Sequence, residues 1–268
     1  MTLGVAWALD WMRGAAARVE HHKDELVELD RQIGDGDHGA NLARGLATVV
    51  ARLEELSSPP ALVSDVLRVA ATTVMSTVGG ASGPLYGTAF LRAARVTARP
   101  ELDPQGLVAM LEACVDGAHQ RGGAVVGDKT MVDALAPAAE AAARAAGEGA
   151  DVVGVLRAAS LAARAGAEST AGLTAVKGRA SYLGERSVGV ADPGAVSSAL
   201  VVEAAYEAAA AAMRRAAWRR GSRSCWSPTR ARSPTGRARS PGRWPRAWTS
   251  RRSAVSSSTA SRRSGPTS

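Results

Sequence analysis

The sequence predicts an all-α protein, a helical bundle with its functional loops at the ends, followed by an unstructured tail. Three observations predict it. Ala-, Leu- and Val-rich segments with 3.6-residue spacing succeed one another as far as about residue 217, and no hairpin-bounded alternation of strand length appears. Aromatic residues are only 4% of the chain, and four of the six Trp (Trp218, Trp226, Trp244, Trp248) fall at the C-terminal end. The body must therefore close its core with Leu, Val, Ala and Met, which favours tightly packed helices. Glycine clusters separate the helices.

The periodicity places helices at about 3–20, 22–32, 39–56, 61–77, 84–98, 104–120, 129–147, 152–170 and 194–217. Pro59-Pro60 ends one helix and opens the next. Pro84 after Gly83 and Pro193 after Asp192 sit where a first-turn proline belongs. The Gly-rich breaks are Ile33–Gly39, Gly79–Gly83, Gly122–Asp128 and Gly178–Gly194. Short connections join antiparallel neighbours, so alternate loops should gather at one end of an up-and-down bundle.

The net charge of +8 misleads as a whole-chain property. Of the 33 Lys and Arg, 15 are Arg after Met213, where no Lys, Asp or Glu occurs. The body is left with 18 basic against 25 acidic residues, a net of −7. From Arg219 on, Arg, Ser, Pro, Gly and Trp dominate, a composition expected to be disordered. An Arg-rich arm for nucleic acid is one reading of this tail. The absence of Lys argues against it, and an out-of-frame GC-rich gene gives such text, so no nucleic-acid partner is expected. Cys114 and Cys225 form no disulfide framework. No basic segment leads into an apolar stretch at the N-terminus, and no membrane span is expected, so a cytoplasmic location is.

The strongest chemical signal is Asp30-Arg-Gln-Ile-Gly-Asp-Gly-Asp-His-Gly-Ala-Asn41. Asp30, Asp35 and Asp37 lie within eight residues, and the intervening glycines let a tight loop fold the carboxylates inward, where they repel unless a cation neutralises them. Oxygen ligands suit Mg²⁺, Mn²⁺ or Ca²⁺. An EF-hand loop is excluded because the twelfth position counted from Asp35 is Leu46. Gly79-Gly-Ala-Ser-Gly-Pro-Leu-Tyr-Gly87 leads into a helix start where backbone N–H groups can approach phosphate, without the Lys of a Walker loop. Gly127-Asp-Lys-Thr-Met-Val-Asp133 reads as a helix cap or a third loop of the site. Arg179 and Arg186 offer cationic forks for phosphate close to the Asp192 helix start. His21 and His22 read as solvated, His119 as a helix-end feature and Cys114 as core.

These four motifs, in this order across about residues 1–215, resemble the ADP-binding L subunit family of dihydroxyacetone kinase (DhaL). The resemblance implies an antiparallel eight-helix barrel with the nucleotide site in the loops at one end. It implies that Asp30, Asp35 and Asp37 hold two Mg²⁺, and that His38, Gly39, Ala40 and Asn41 line ADP or ATP. Ala81 and Ser82 would lie at the phosphate end, Gly122 and Met131 on the adenine side, and Arg179 with Asp192, Pro193 and Gly194 would complete the pocket. Val126, where the family commonly has Pro, and Val190-Ala191, in place of a more polar pair, depart from the pattern. Phosphate would pass to dihydroxyacetone on a partner K subunit, supplied by a phosphohistidine on an M subunit in the phosphotransferase-linked version. The alternative is an ATP-dependent glycerone or fatty-acid kinase domain of the same type. Read one nucleotide earlier with GC-rich codons, Ser224–Gly236 can become V-V-L-V-S-H-S-R-A-L-A-D-G, which resembles the start of the M subunit. The expected organisation is thus a domain at 1–215 and a frameshifted tail at 216–268.

Overall fold

The computed structural model describes residues 1–224, with side chains as far as Trp218. The reading of the Arg-rich tail as disordered and frameshifted falls largely on residues outside those described.

Helices fill the described chain: α1 (Val5–His21), α2 (Lys23–Ile33), α3 (His38–Glu54), α4 (Val63–Thr77), α5 (Ser82–Val96), α6 (Pro104–Gly122), α7 (Val132–Gly147), α8 (Val152–Ser169) and α9 (Pro193–Ser224). Two 3₁₀ segments, Thr170–Gly172 and Arg179–Ser187, lie between α8 and α9. Helix starts follow the capping chemistry of the sequence. Asp103 accepts from the Gly106 N–H at 2.8 Å with Pro104 in the first turn of α6, and Asp151 accepts from Val153 and Gly154 at the start of α8. Asp65 reaches back from the first turn of α4 to the Leu62 N–H at 3.0 Å. Gly123, with φ of 62°, ends α6 in the left-handed conformation that glycine tolerates.

Going round the molecule, α1 packs on α3, α3 on α4, and each later helix on the next until α9 returns to α1. Eight helices close a ring, and α2 lies outside it against α3. The starts of α3, α5, α7 and α9 meet at one end, together with the ends of α2 and α6, so helices alternate in direction along this part of the ring. The wall is built as composition requires, from Ala, Leu and Val buried to near zero exposure. Trp7 and Trp11 are the exceptions in size. They stack at 5.3 Å between α1 and α9, and their indole N–H groups donate to the Ala205 and Val201 carbonyls. Close approach elsewhere depends on missing side chains. A Cβ on Gly166 of α8 would come within 2.1 Å of the Asp133 carbonyl oxygen on α7, which Pro137 leaves without its usual helical donor.

Three boundaries differ from expectation. Leu3–Gly4 is not helical but pairs antiparallel with Glu101–Leu102, a two-residue ladder tying the N-terminus to the start of α6. α7 begins at Val132 rather than near 129, because Lys129 has a left-handed φ of 62° and cannot continue a helix. α9 runs on to Ser224, past the helix end expected near residue 217. The expectation that no apolar run approaches membrane-spanning length is also too strong: within residues 193–218 an 18-residue window has a mean hydropathy of 1.3, although 61% of that window is buried inside the bundle.

Candidate functional site

The loop end encloses a cavity of about 430 Å³, and residues from all four Gly-rich breaks line it. At one side α2 ends and α3 begins. Asp30, in the last turn of α2, turns its carboxylate over the loop, and its Oδ2 accepts from the backbone N–H groups of Asp37 (2.8 Å) and His38 (3.0 Å). A Cβ at Gly34 would fall 2.1 Å from Asp30 Oδ1, so only glycine lets the chain pass beneath this carboxylate. The turn brings one ligand oxygen each from Asp30, Asp35 and Asp37 within 4.8 Å of one another. Asp30 is buried and the other two are exposed toward the cavity. This is an all-oxygen donor set of high charge density, suited to a hard divalent cation. Arg179 reaches across from the second 3₁₀ segment to Asp35 at 2.9 Å.

His38 opens α3 and is buried. Its Nδ1 meets Ser82 Oγ of α5 at 2.9 Å and its Nε2 meets Ser197 Oγ of α9 at 2.8 Å. Burial pushes its pKa below the ordinary value, against the opposing pull of Asp30 and Asp37, so the ring is neutral at pH 7. Behind it the Tyr86 hydroxyl bonds Ser197 at 2.7 Å and Ser198 at 2.9 Å, and burial raises its pKa to about 12.

On the opposite side lie Lys129 and Asp192. The Lys129 side chain is buried, and its ammonium donates to the Thr170 and Val190 carbonyls, both at 2.6 Å, which pins the segment between α8 and α9 against the start of α7. Burial lowers its pKa, while Asp192 and Asp133 pull it back. Asp133 ties down the Gly127–Thr130 loop by accepting from both of its end N–H groups. Asp192 caps α9, accepting from Ala195 N–H at 2.7 Å. Enclosure of its carboxyl raises the pKa to about 7, with the Ala195 N–H and Lys129 opposing.

Of the sequence-predicted residues, Asp30, Asp35, Asp37, His38, Ala81, Ser82, Gly122, Met131, Arg179, Asp192, Pro193 and Gly194 all line the cavity. Gly39, Ala40 and Asn41 do not. The helix rotates about 100° per residue after His38, which packs Gly39 on the Lys23 carbonyl and directs Asn41 toward Arg44 and Gly79. The sequence reading missed Lys129, Tyr86, Arg121 and Lys177, which also line the wall. The first two stood inside quoted motifs, but nothing local marks a lysine or tyrosine for burial. Arg186 lies outside the wall, His22 pairs with Glu25 at the surface, and His119 bonds the Ala124 carbonyl at the end of α6. Cys114 is buried in the core, with its thiol pKa pushed up to about 12 by burial.

The arrangement can hold a polyanion with its cations. Four helix starts, those of α3, α5, α7 and α9, line the cavity, and the positive end of a helix dipole favours an anion there. Arg121, Lys177 and Arg179 add positive charge, the carboxylate cluster takes cations, and Leu85, Ala118 and Met131 form an apolar side for a flat ring.

A family model described as the DAK2 domain matches residues 32–207. Over 207 residues the chain is 43% identical to the ADP-binding subunit DhaL of PEP-dependent dihydroxyacetone kinase 1 from Listeria innocua, covering 76% of this chain and 96% of that one. It is 41% identical over 198 residues to the corresponding Escherichia coli subunit, covering 74% and 93%. Among solved structures, the dihydroxyacetone kinase from C. freundii in complex with AMP-PNP and Mg²⁺ aligns with a TM-score of 0.55 at 27% identity. That alignment covers 76% of this chain and 33% of the kinase, so the chain spans about a third of that protein.

Proposed function

This chain belongs to the DAK2 domain family, and on that premise we propose that its loop-end cavity holds the adenine nucleotide of a phosphoryl transfer. The chain is a phosphotransferase subunit, the ADP-binding component of a phosphotransferase-system-dependent dihydroxyacetone kinase. One observation carries the assignment of the cavity: three carboxylates within 4.8 Å at a cavity rimmed by four helix N-termini.

In this reading Asp30, Asp35 and Asp37 hold two Mg²⁺, whose chemistry is to neutralise charge on the phosphoryl oxygens. The donor set fits, being all carboxylate oxygen, with Asp30 fixed by two backbone donors. The protein's own groups do the positioning. The first turns of α5 and α9 present N–H groups to phosphate oxygens, Arg179 leaves Asp35 to pair with a phosphate, and Leu85, Gly122 and Met131 enclose the base. The phosphoryl group then passes to a hydroxyl of dihydroxyacetone held on a separate K subunit, and an M subunit's phosphohistidine restores it. The metal count, the residue roles and both partner subunits are part of this proposal. So is the break in reading frame, which DNA sequence across codons 210–230 decides: an intact frame with no M-like frame downstream removes it.

Calorimetric titration of the full chain with Mg-ADP tests the site. Wild type should bind, and Asp35→Asn should weaken binding by at least a hundredfold while leaving the unfolding midpoint of the free protein within a few degrees. Equal binding by the two proteins overturns the assignment. Native mass spectrometry showing ADP retained through purification favours the phosphotransferase-linked cycle over free ATP exchange.

A further inference from the structure

The buried polar chain behind the carboxylate cluster has a direction. Nε2 of the His38 ring meets Ser197 Oγ of α9 at 2.8 Å. Ser197 donates its one hydroxyl proton to the Gly194 carbonyl at 3.1 Å, which leaves its oxygen to accept from the ring, so the ring donates from Nε2. A neutral imidazole carries one proton. With that proton on Nε2, Nδ1 is an acceptor, and its partner at 2.9 Å, the Ser82 hydroxyl, must be the donor. Ser82 lines the cavity and Ser197 does not.

We propose that His38 is a positioning residue for the phosphoryl group: its Nε2–H tautomer ties the first turns of α3, α5 and α9 together and turns the Ser82 hydroxyl proton away from the cavity. This rests on the cavity being the nucleotide site. Two consequences follow for recognition. Three of the helix starts facing the nucleotide are fixed relative to one another by one side chain that Asp30 also holds through its backbone N–H. Ser82 shows the cavity an oxygen that accepts, so phosphate oxygens, which only accept, are met by the backbone N–H groups of α5, and Ser82 Oγ is left for a bound water or a cation. Tyr86 and Ser198 complete the chain on the far side and keep Ser197 oriented.

The test combines a spectroscopic signature with a pair of variants. Imidazole-¹⁵N NMR of the full chain, with the His38 signals identified by their loss in His38→Asn, should show a protonated Nε2 and an unprotonated Nδ1. In calorimetry with Mg-ADP, His38→Asn places a side-chain oxygen near the Nδ1 position and should bind within about tenfold of wild type. His38→Leu removes the acceptor at similar size and should bind at least tenfold more weakly than His38→Asn, in keeping with the cost of losing a group that orients a site. A protonated Nδ1 in wild type overturns the proposal, and so does equal binding by the two variants. If His38→Leu does not fold, the wild-type tautomer decides alone. Failure of wild type to bind Mg-ADP would strike the nucleotide reading instead, and the tautomer would still be read.

Discussion

The wall of the helix ring and its loop end are built from opposite materials. In the wall, Ala, Leu and Val from neighbouring helices interdigitate around Trp7 and Trp11, and the main buried charge, Glu203, is paired by Arg18 and Arg164. At the loop end Asp30, His38, Lys129, Asp133, Thr170, Ser197 and Ser198 are all buried, each with a hydrogen-bond partner. In the wall, area removed from water holds the helices together. At the loop end, desolvated polar groups hold one geometry by satisfying one another, and each stands to lose more than it gains if a partner goes. The contrast shows where stability and function separate: changes in the wall should move unfolding, and changes at the loop end should move binding and its pH dependence.

The largest effect on stability should come from Trp11→Ala, which removes a stacked, hydrogen-bonded indole from between α1 and α9. Loss of about 3–5 kcal/mol is expected in denaturant unfolding, with Mg-ADP affinity of the folded fraction unchanged; a parallel loss of affinity would break the separation.

Asp192→Asn probes the loop end without touching the wall. The Asp192 pKa is raised to about 7 from 3.8, so neutral Asp192 is favoured in the fold. Its contribution is therefore present at low pH and is lost as pH rises from about 4 to about 7. The nucleotide-free variant keeps a side-chain oxygen to cap α9 and lacks that loss. It should match wild type near pH 4 and exceed it by roughly 2–4 kcal/mol at pH 8, read from chemical denaturation across that range. A gap that closes rather than opens with rising pH would show Asp192 to be a stabilising charge.

Arg164→Ala should have the smallest effect. Its side chain is 60% exposed, and Arg18 remains to pair with Glu203 at 2.8 Å. A change below about 1 kcal/mol is expected, and a larger one would mean that the wall too depends on a buried polar network.

Much of the site was legible because its chemistry is local. Asp30, Asp35 and Asp37 with their glycines sit within eight residues, and a turn tight enough to need Gly34 must bring the carboxylates together. The helix starts at Ser82 and Pro193 were marked by neighbouring Gly, Asp and Pro. Gly39, Ala40 and Asn41 stand next to His38 in sequence but not on the cavity wall, because the helical rotation carries them off it.

The sequence alone determined the succession of helices, the acidic character of the body and the carboxylate-bearing loop, because periodicity, charge and turn chemistry act over a few residues. Only the tertiary structure decided that Lys129 is buried against two carbonyls, that Arg179 meets Asp35, and that His38 joins Ser82 to Ser197. Those contacts span from 41 to 159 residues of chain. Nothing near either partner in the sequence requires them; closing the ring of helices brings them together.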